Sequence, residues 1–360
     1  MSGLSLDYVV PQAGLGIFLG AVADEGRSFV SDGRRIVARD EDSGGVLWLT
    51  EGYGDPVAVA GSRLLCSSPE VSLLSVENGG LVGVFQGAEH RCVLVGDVLV
   101  DARSDGARDV LCGRTTTRVL WELSIGSVTP GDETFARRVR TGPVTDGRRV
   151  FVGLSDGTLV SIDPESGSVV WQRPTRVTAT LRVTPEGLLM LIDGCCVAFR
   201  PETGEPLWEA DGGYSAFFDG EVIVWNGGAA VELERGKTRS SVWLKKPSEV
   251  EGAIEEPFIA VTGFYLAGSG TGHVMAFSRS TGKCVALFRP KGGRSTKIGA
   301  ISMAIGKGRI YYRDWSKRLY CLRASFLDSP EIAQSRSVAA TTLAKSAVPG
   351  RVAKKARKAR

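Results

Sequence analysis

Histidine is almost absent from this chain: His90 and His273 are the only two in 360 residues. That excludes His-rich metal sites and most His-based acid–base chemistry. Proline is sparse, 15 residues against 46 glycines, too few for collagen-like or low-complexity sequence. No apolar run approaches the roughly 18–20 residues that span a bilayer. The opening residues 1–8, MSGLSLDY, have neither a basic n-region nor a hydrophobic h-region, so neither a secretory signal nor a lipidated cysteine is expected. The seven cysteines are odd in number, contain no CxxC pair and fit buried thiols in a reducing compartment. These absences together predict a cytoplasmic protein. What is present, 43% hydrophobic and 23% charged residues, suffices for a folded core.

Charge is unevenly placed. The net charge is +4, but residues 337–360 carry +7 with no acid, which leaves residues 1–336 at −3. Lysine is also absent before Lys237 while arginine is plentiful, a bias in composition rather than a domain boundary.

One phrase recurs along the chain. Residues 150–171 read VFVGLSDGTLVSIDPESGSVVW; 36–48 read IVARDEDSGGVLW, 196–208 CVAFRPETGEPLW and 264–283 FYLAGSGTGHVMAFSRSTGK. The pattern is an apolar run, a Gly turn, an alternating strand, a polar turn with Gly, then a strand ending in Trp. Alternation suits strands with a buried face, and the glycines sit where tight hairpins need positive φ. The small residue ten before the aromatic (Ala38, Ser75, Ser161, Ala198) is expected to leave room for a large ring in the neighbouring sheet. That ring is expected to be Trp48, Phe85, Trp121, Trp171, Trp208 or Trp243 in successive units, with Ala286 and Phe288 in the seventh.

The units fall at 15–51, 54–87, 90–125, 142–174, 180–211, 214–246, 256–289 and 300–324, the spacing of four-stranded propeller blades. The fold class expected is all-β, a single propeller of eight blades over residues 1–324; seven is the alternative count, since the third and sixth units are degenerate. The eighth unit lacks its last strand. Leu4–Val10 is expected to supply it and close the ring, with Tyr8, 40 residues before Trp48, as its aromatic. Residues 325–360 are expected to be a separate, disordered basic tail.

The phrase resembles the repeat of the PQQ-like propellers, the quinoprotein alcohol dehydrogenase-like superfamily, best at 156–171 and in the units ending in Trp48 and Trp208. WD repeats fit less well because no Trp-Asp dipeptide occurs. The resemblance implies the propeller fold over about residues 15–324. Among its members are quinone-dependent dehydrogenases and stand-alone scaffolds, one of these in outer-membrane protein assembly, and others attached to bacterial kinases or encoded beside ATPases.

Motifs that suggest chemistry read as repeat turns. Gly153-Leu-Ser-Asp-Gly157 matches the hydrolase nucleophile elbow, which needs a strand-to-helix turn and here lies within a strand–turn–strand unit. Gly268-Ser-Gly-Thr-Gly272 runs on into a strand rather than the helix of a phosphate loop. Cys195-Cys196 is similar to the vicinal pair of quinoprotein dehydrogenases, but as strand residues the two should point to opposite faces. The acidic base and cation ligands of those dehydrogenases have no counterparts, so no cofactor, metal or catalytic residue is expected.

The remaining signals lie on the surface. Three long connections between blades are expected on one face: 125–141 with Arg137, Arg138 and Arg140; 245–256 with Lys245 and Lys246; and 290–299 with Lys291, Arg294 and Lys297. The tail adds Lys354, Lys355, Arg357, Lys358 and Arg360. The function expected is a non-catalytic scaffold presenting these loops and the tail to a protein partner. Two alternatives stand beside it: a quinoprotein-like oxidoreductase, and a nucleic-acid-associated protein held by its tail. Basic residues without interleaved aromatics predict weak, sequence-independent binding of nucleic acid or another polyanion.

Overall fold

The computed structural model describes residues 4–11, 21–24, 26–31, 35–67, 70–89, 91–104, 109–125, 138–175, 180–183, 189–192, 195–211, 214–218, 221–226, 229–234, 237–248, 250, 254–261, 263–269, 273–288, 302–306, 309–313 and 318–324. Among these, 32 strands form eight four-stranded antiparallel sheets, the count expected over the alternative of seven. Seven sheets are consecutive meanders, within 21–51, 55–85, 92–125, 139–174, 180–211, 214–243 and 254–288. The eighth orders Ser302–Gly306, Arg309–Arg313 and Arg318–Ala324, with Leu4–Pro11 antiparallel to the last of these. Inner strands of neighbouring sheets touch: Ala21–Asp24 meets both Asp55–Ala60 and Ser302–Gly306, and Ile254–Val261 meets both Tyr214–Phe218 and Ser302–Gly306. This is the architecture of a β-propeller, and each sheet is here called a blade.

A single register recurs in every blade. One residue of the third strand faces one of the fourth, and the next pair is reached only after the fourth strand skips a residue, a β-bulge. The facing pairs are Ala38 with Trp48, Leu73 with Gly83, Gly113 with Trp121, and Ser161 with Trp171 in the first four blades. The later blades pair Ala198 with Trp208, Glu232 with Ser240, Ala276 with Ala286, and Cys321 with Tyr8. The small residue ten before the Trp is therefore its cross-strand partner in the same sheet, which corrects the expectation that it makes room in the neighbouring one. Ser75 is no such partner; it opens a turn in which its amide donates to the Gly80 carbonyl.

The ring of each Trp leans instead on the next blade. Trp48 Nε1 donates to the Val76 carbonyl at 2.9 Å, Trp121 Nε1 to Pro164 O at 2.8 Å and Trp171 Nε1 to Pro201 O at 2.8 Å. Each acceptor is the second residue of the turn between the third and fourth strands of the following blade. That turn is built alike in five blades. In the fourth, Gly167 N donates to Asp163 O at 2.9 Å and Asp163 N to Ser168 O at 3.0 Å. Asp163 Oδ1 accepts from Ser166 N, Ser166 Oγ and Glu165 N, and these bonds hold its carboxyl below the usual carboxylate range. The glycine is needed twice over. Gly167 has φ +73°, and a Cβ there would stand 2.5 Å from the Trp121 ring.

Two rings expected at these seams are not there. Phe85 pairs with Val71, and Gly83 holds the ring position of the second blade. Trp243 pairs with Ala229 and is 65% exposed, while Ser240 holds the ring position of the sixth. The repeat had been aligned by its aromatics, whereas the bulge fixes the register. The seventh blade behaves as expected: Ala286 faces Ala276, and Phe288 packs on Tyr320 of the eighth blade with centroids 5.8 Å apart.

Trp48 and Trp243 should accordingly respond in opposite ways to truncation. Trp48→Ala removes a buried ring and its hydrogen bond to Val76, so it should lower unfolding free energy by ~3–5 kcal/mol. Trp243→Ala should stay within about 0.5 kcal/mol of wild type. Denaturant midpoints of the two variants check this.

Candidate functional site

Charged groups enter the interior where the indole is missing. At the seam between the sixth and seventh blades, Glu232 takes the small-residue position and Ser240 the ring position. Glu232 Oε2 accepts from Ser240 Oγ at 2.6 Å; its Oε1 accepts from Tyr265 Oη at 2.7 Å and from Arg279 Nη2 and Nε at 2.6 and 3.0 Å. Arg279 stands where Val76, Pro164 and Pro201 stand in other blades, and its guanidinium lies 5.7 Å over the Tyr265 ring. Burial alone would raise the Glu232 pKa, but the bonds from Ser240, Tyr265 and Arg279 outweigh it and hold the carboxyl below its ordinary value. Burial, with Glu232 beside it, raises Tyr265.

The seam between the second and third blades is filled in a related way. Asp101 is fully buried and accepts from Arg114 Nε at 2.9 Å and from the Glu89 amide at 3.2 Å. Arg114 Nη1 reaches the Gln86 carbonyl of the second blade at 2.5 Å. Burial holds the Asp101 carboxyl above its ordinary value although Arg114 pulls it down. Arg63 spans the same seam to Gly96 O at 2.8 Å and Asp97 at 2.6 Å. The sequence reading missed Glu232, Arg279, Asp101 and Arg114. Aligning the units by the skipped residue would have placed Glu232 and Ser240 at the pair position and marked the sixth blade as polar.

The connections singled out for binding are seen in part. Arg138 is tied into the fold: its Nη1 donates to Asp109 Oδ1 at 3.0 Å and to Ser104 Oγ at 2.8 Å, while Asp109 Oδ2 accepts from the Val139 amide at 2.7 Å. Arg140 is exposed. Arg137, Lys291, Arg294, Lys297, Lys354, Lys355, Arg357, Lys358 and Arg360 lie outside the described residues.

The motifs that suggested chemistry are parts of the repeat. Cys195 and Cys196 open a blade strand, one half-buried and one buried, and are not joined by a disulfide. They pair with different residues of the outer strand, Asp211 and Ala210. Among the described residues no group of three His, Cys, Asp or Glu side chains could hold a metal ion. Ser155 lies in the turn after Leu154, where Gly157 N donates to Leu154 O at 3.0 Å, so the G-x-S-x-G match is a hairpin.

A family model described as outer membrane protein assembly factor BamB matches residues 9–286. Among solved structures, BamB from Moraxella catarrhalis superimposes with a TM-score of 0.61 at 15% identity, over 89% of this chain and 97% of that one. Quinohemoprotein alcohol dehydrogenase from Comamonas testosteroni gives 0.57 at 11% identity, over 90% and 77%. The C-terminal WD40 domain of Sif2 gives 0.61 at 9% identity, over 89% and 98%. At these identities the structural likeness shows the fold alone. No curated protein sequence matches the chain.

The family match overturns the expectation of a cytoplasmic protein. That expectation rested on a missing leader and on unpaired cysteines. The thiols have a local explanation: burial pushes Cys66, Cys92 and Cys196 up to about 12, which keeps them unreactive whatever the compartment. Among the described residues no helix is long and apolar enough to cross a membrane.

The Glu232 cluster predicts acid sensitivity. A carboxyl whose folded pKa lies below its ordinary 4.5 stabilises the fold above that pH, and the stabilisation is lost as pH falls through the folded value. Glu232→Gln should therefore be less stable than wild type at neutral pH. The gap should narrow as pH falls below about 4.5, read from thermal melts across the acid range.

Proposed function

The chain belongs to the family of the outer membrane protein assembly factor BamB, and from that premise we propose that it is a scaffold for protein assembly at the outer membrane. The family is a non-enzymatic one, named for an assembly factor. The observation that carries the reading is where the buried charge goes. Asp101, Arg114, Glu232 and Arg279 are spent on holding blades together, which leaves the connecting loops for recognition.

The docking face in this reading is the end of the ring where successive blades connect. Arg140 there is exposed, and Arg138 anchors the loop that precedes it to Asp109. We assign to the same face Arg137, which precedes them in sequence, and Lys291, Arg294 and Lys297 of a second long connection. The tail, with Lys354, Lys355, Arg357, Lys358 and Arg360, adds attraction for an acidic surface. Electrostatic attraction of this kind sets encounter rate and register more than affinity. A variant with Arg140, Lys291, Arg294 and Lys297 replaced by Ser should melt with wild type. It should recover less of the partner from cell envelopes, with a flatter dependence on salt. Equal recovery at every salt concentration would return these loops to plain solvated surface.

The same scaffold reading includes a ring closed by its first strand. The pairing of Leu4–Pro11 with Arg318–Ala324, in the register that sets Tyr8 opposite Cys321, supports it. So does the seam between the eighth and first blades, where a Cβ on Gly44 would lie 3.3 Å from Arg309 Nη2. Arg149 reaches the next blade's turn in the same manner, bonding Pro201 O at 3.0 Å. Deleting residues 1–12 should lower stability by several kcal/mol, because a whole ladder of hydrogen bonds is lost and a sheet edge exposed. An unchanged melting temperature would dismiss closure by this strand.

A further inference from the structure

The seam between the second and third blades is built unlike those on either side. Trp48 crosses the seam before it and Trp121 the seam after it. Here Gly83 stands at the ring position, and Leu73 takes the place of the small residue. The turn it faces is also two residues shorter, with Thr115 N donating to Arg118 O at 2.9 Å, whereas Asp163 N donates to Ser168 O in the fourth blade. Thr116 closes over Gly83, its methyl 2.5 Å from where a Cβ would stand, so no ring of the chain's own can be seated there.

A cavity of about 660 Å³ remains beside this closure. Two apolar residues line it, Leu73, which is buried, and Val82, which is 55% exposed. Thr115–Thr117 add a run of hydroxyls to the lining. The Arg63–Asp97 ion pair and Arg118 complete the lining. Asp97 neutralises Arg63, whereas the exposed guanidinium of Arg118 has no hydrogen-bond or ion-pair partner among the described residues. The lining therefore carries one positive charge without a partner among the described residues, beside the apolar Leu73 and Val82.

We propose that this groove binds an extended segment of a partner protein that places an aromatic side chain on Leu73 and Val82 and an adjacent carboxylate on Arg118. An aromatic ring matches the neighbouring seams, each of which seats an indole between an outer strand and the next turn. The carboxylate matches the guanidinium of Arg118, whose planar fork donates to two oxygens at once. The groove lies at the turn end of the blades, opposite the end where blades connect, so it goes beyond the loop face already proposed and adds a second point of attachment. Two weak attachments on one scaffold strengthen each other through effective concentration.

The test uses the full chain and a dye-labelled acetylated peptide, Val-Trp-Asp-Val amide, with companions carrying Ala for the Trp or Lys for the Asp. Fluorescence anisotropy should show the Trp-Asp peptide binding at least tenfold tighter than either companion, with loss of affinity at high salt. Val82→Glu and Arg118→Glu alter exposed residues and should leave the melting temperature unchanged. Both should weaken the Trp-Asp peptide at least tenfold, and Arg118→Glu should come to prefer the Lys peptide. Failure of the Trp-Asp peptide to bind at millimolar concentration, or equal binding by wild type and both variants, overturns the groove. Partner recovery through the connecting loops does not involve Val82 or Arg118. If it persists while the peptide fails, only this inference falls.

Discussion

A four-stranded meander has two faces and can bury neither alone, so a ring of such sheets stands or falls on what joins one blade to the next. In this chain the join is an indole hydrogen bond to a single carbonyl. Trp48, Trp121 and Trp171 each leave the fourth strand at the same register and end on the second residue of the following turn. The geometry leaves no slack. The turn must bring its carbonyl up to the ring, and its glycine must lie flat beneath it, with φ +69° at Gly79 and no room for a Cβ. Three parts of the repeat are therefore coupled: the skipped residue that turns the ring, the ring itself and the glycine that receives it.

Two of the seams without an indole are repaired with charge, which is the more demanding solution. A buried ion pair gains its Coulomb attraction only after several kcal/mol of desolvation, and succeeds when every lone pair finds a donor. Glu232 meets that condition, with Ser240, Tyr265 and Arg279 donating to its two oxygens. Asp101 meets it less fully, and burial holds its carboxyl above its ordinary value despite Arg114 and the Glu89 amide. The two repairs differ in kind. The sixth blade places its carboxylate at the pair position itself, whereas the third blade holds Asp101 on its second strand and sends Arg114 across the seam.

The architecture was legible because period and composition act together: eight units with glycine turns could be counted directly, and Tyr8, one period before Trp48, marked the strand that pairs with the last one. The aromatic ring was legible only where the spacing was regular. Trp243 and Phe85 misled because an aromatic residue in sequence carries no sign of the bulge before it: Trp243 stands three residues beyond the ring position and is exposed, and Phe85 stands two beyond it and is buried elsewhere. The polar seams were invisible for the same reason, since Glu232 and Arg279 are 47 residues apart and ordinary in their local context. The compartment was misread because it was inferred from missing features, and free thiols follow from burial as readily as from a reducing environment. Of the loop cations, Arg138 is held by Asp109 and Arg140 is exposed.

The skipped residue has a second effect, at the rim. In the first, second, fourth, fifth and seventh blades it is Leu47, Val82, Val170, Leu207 or Val285, each more than a third exposed. An outermost strand with apolar side chains and unpaired amides would normally recruit another strand and seed stacking of one molecule on the next. A bulge in every such strand bends it and throws the ladder out of step after a few residues. Because the defect is copied into each blade, no side of the ring presents a long, straight template. The feature that seats the indole thus also keeps a crowded population of these rings from knitting together, so substitutions that flattened the bulge would endanger solubility before they endangered the fold.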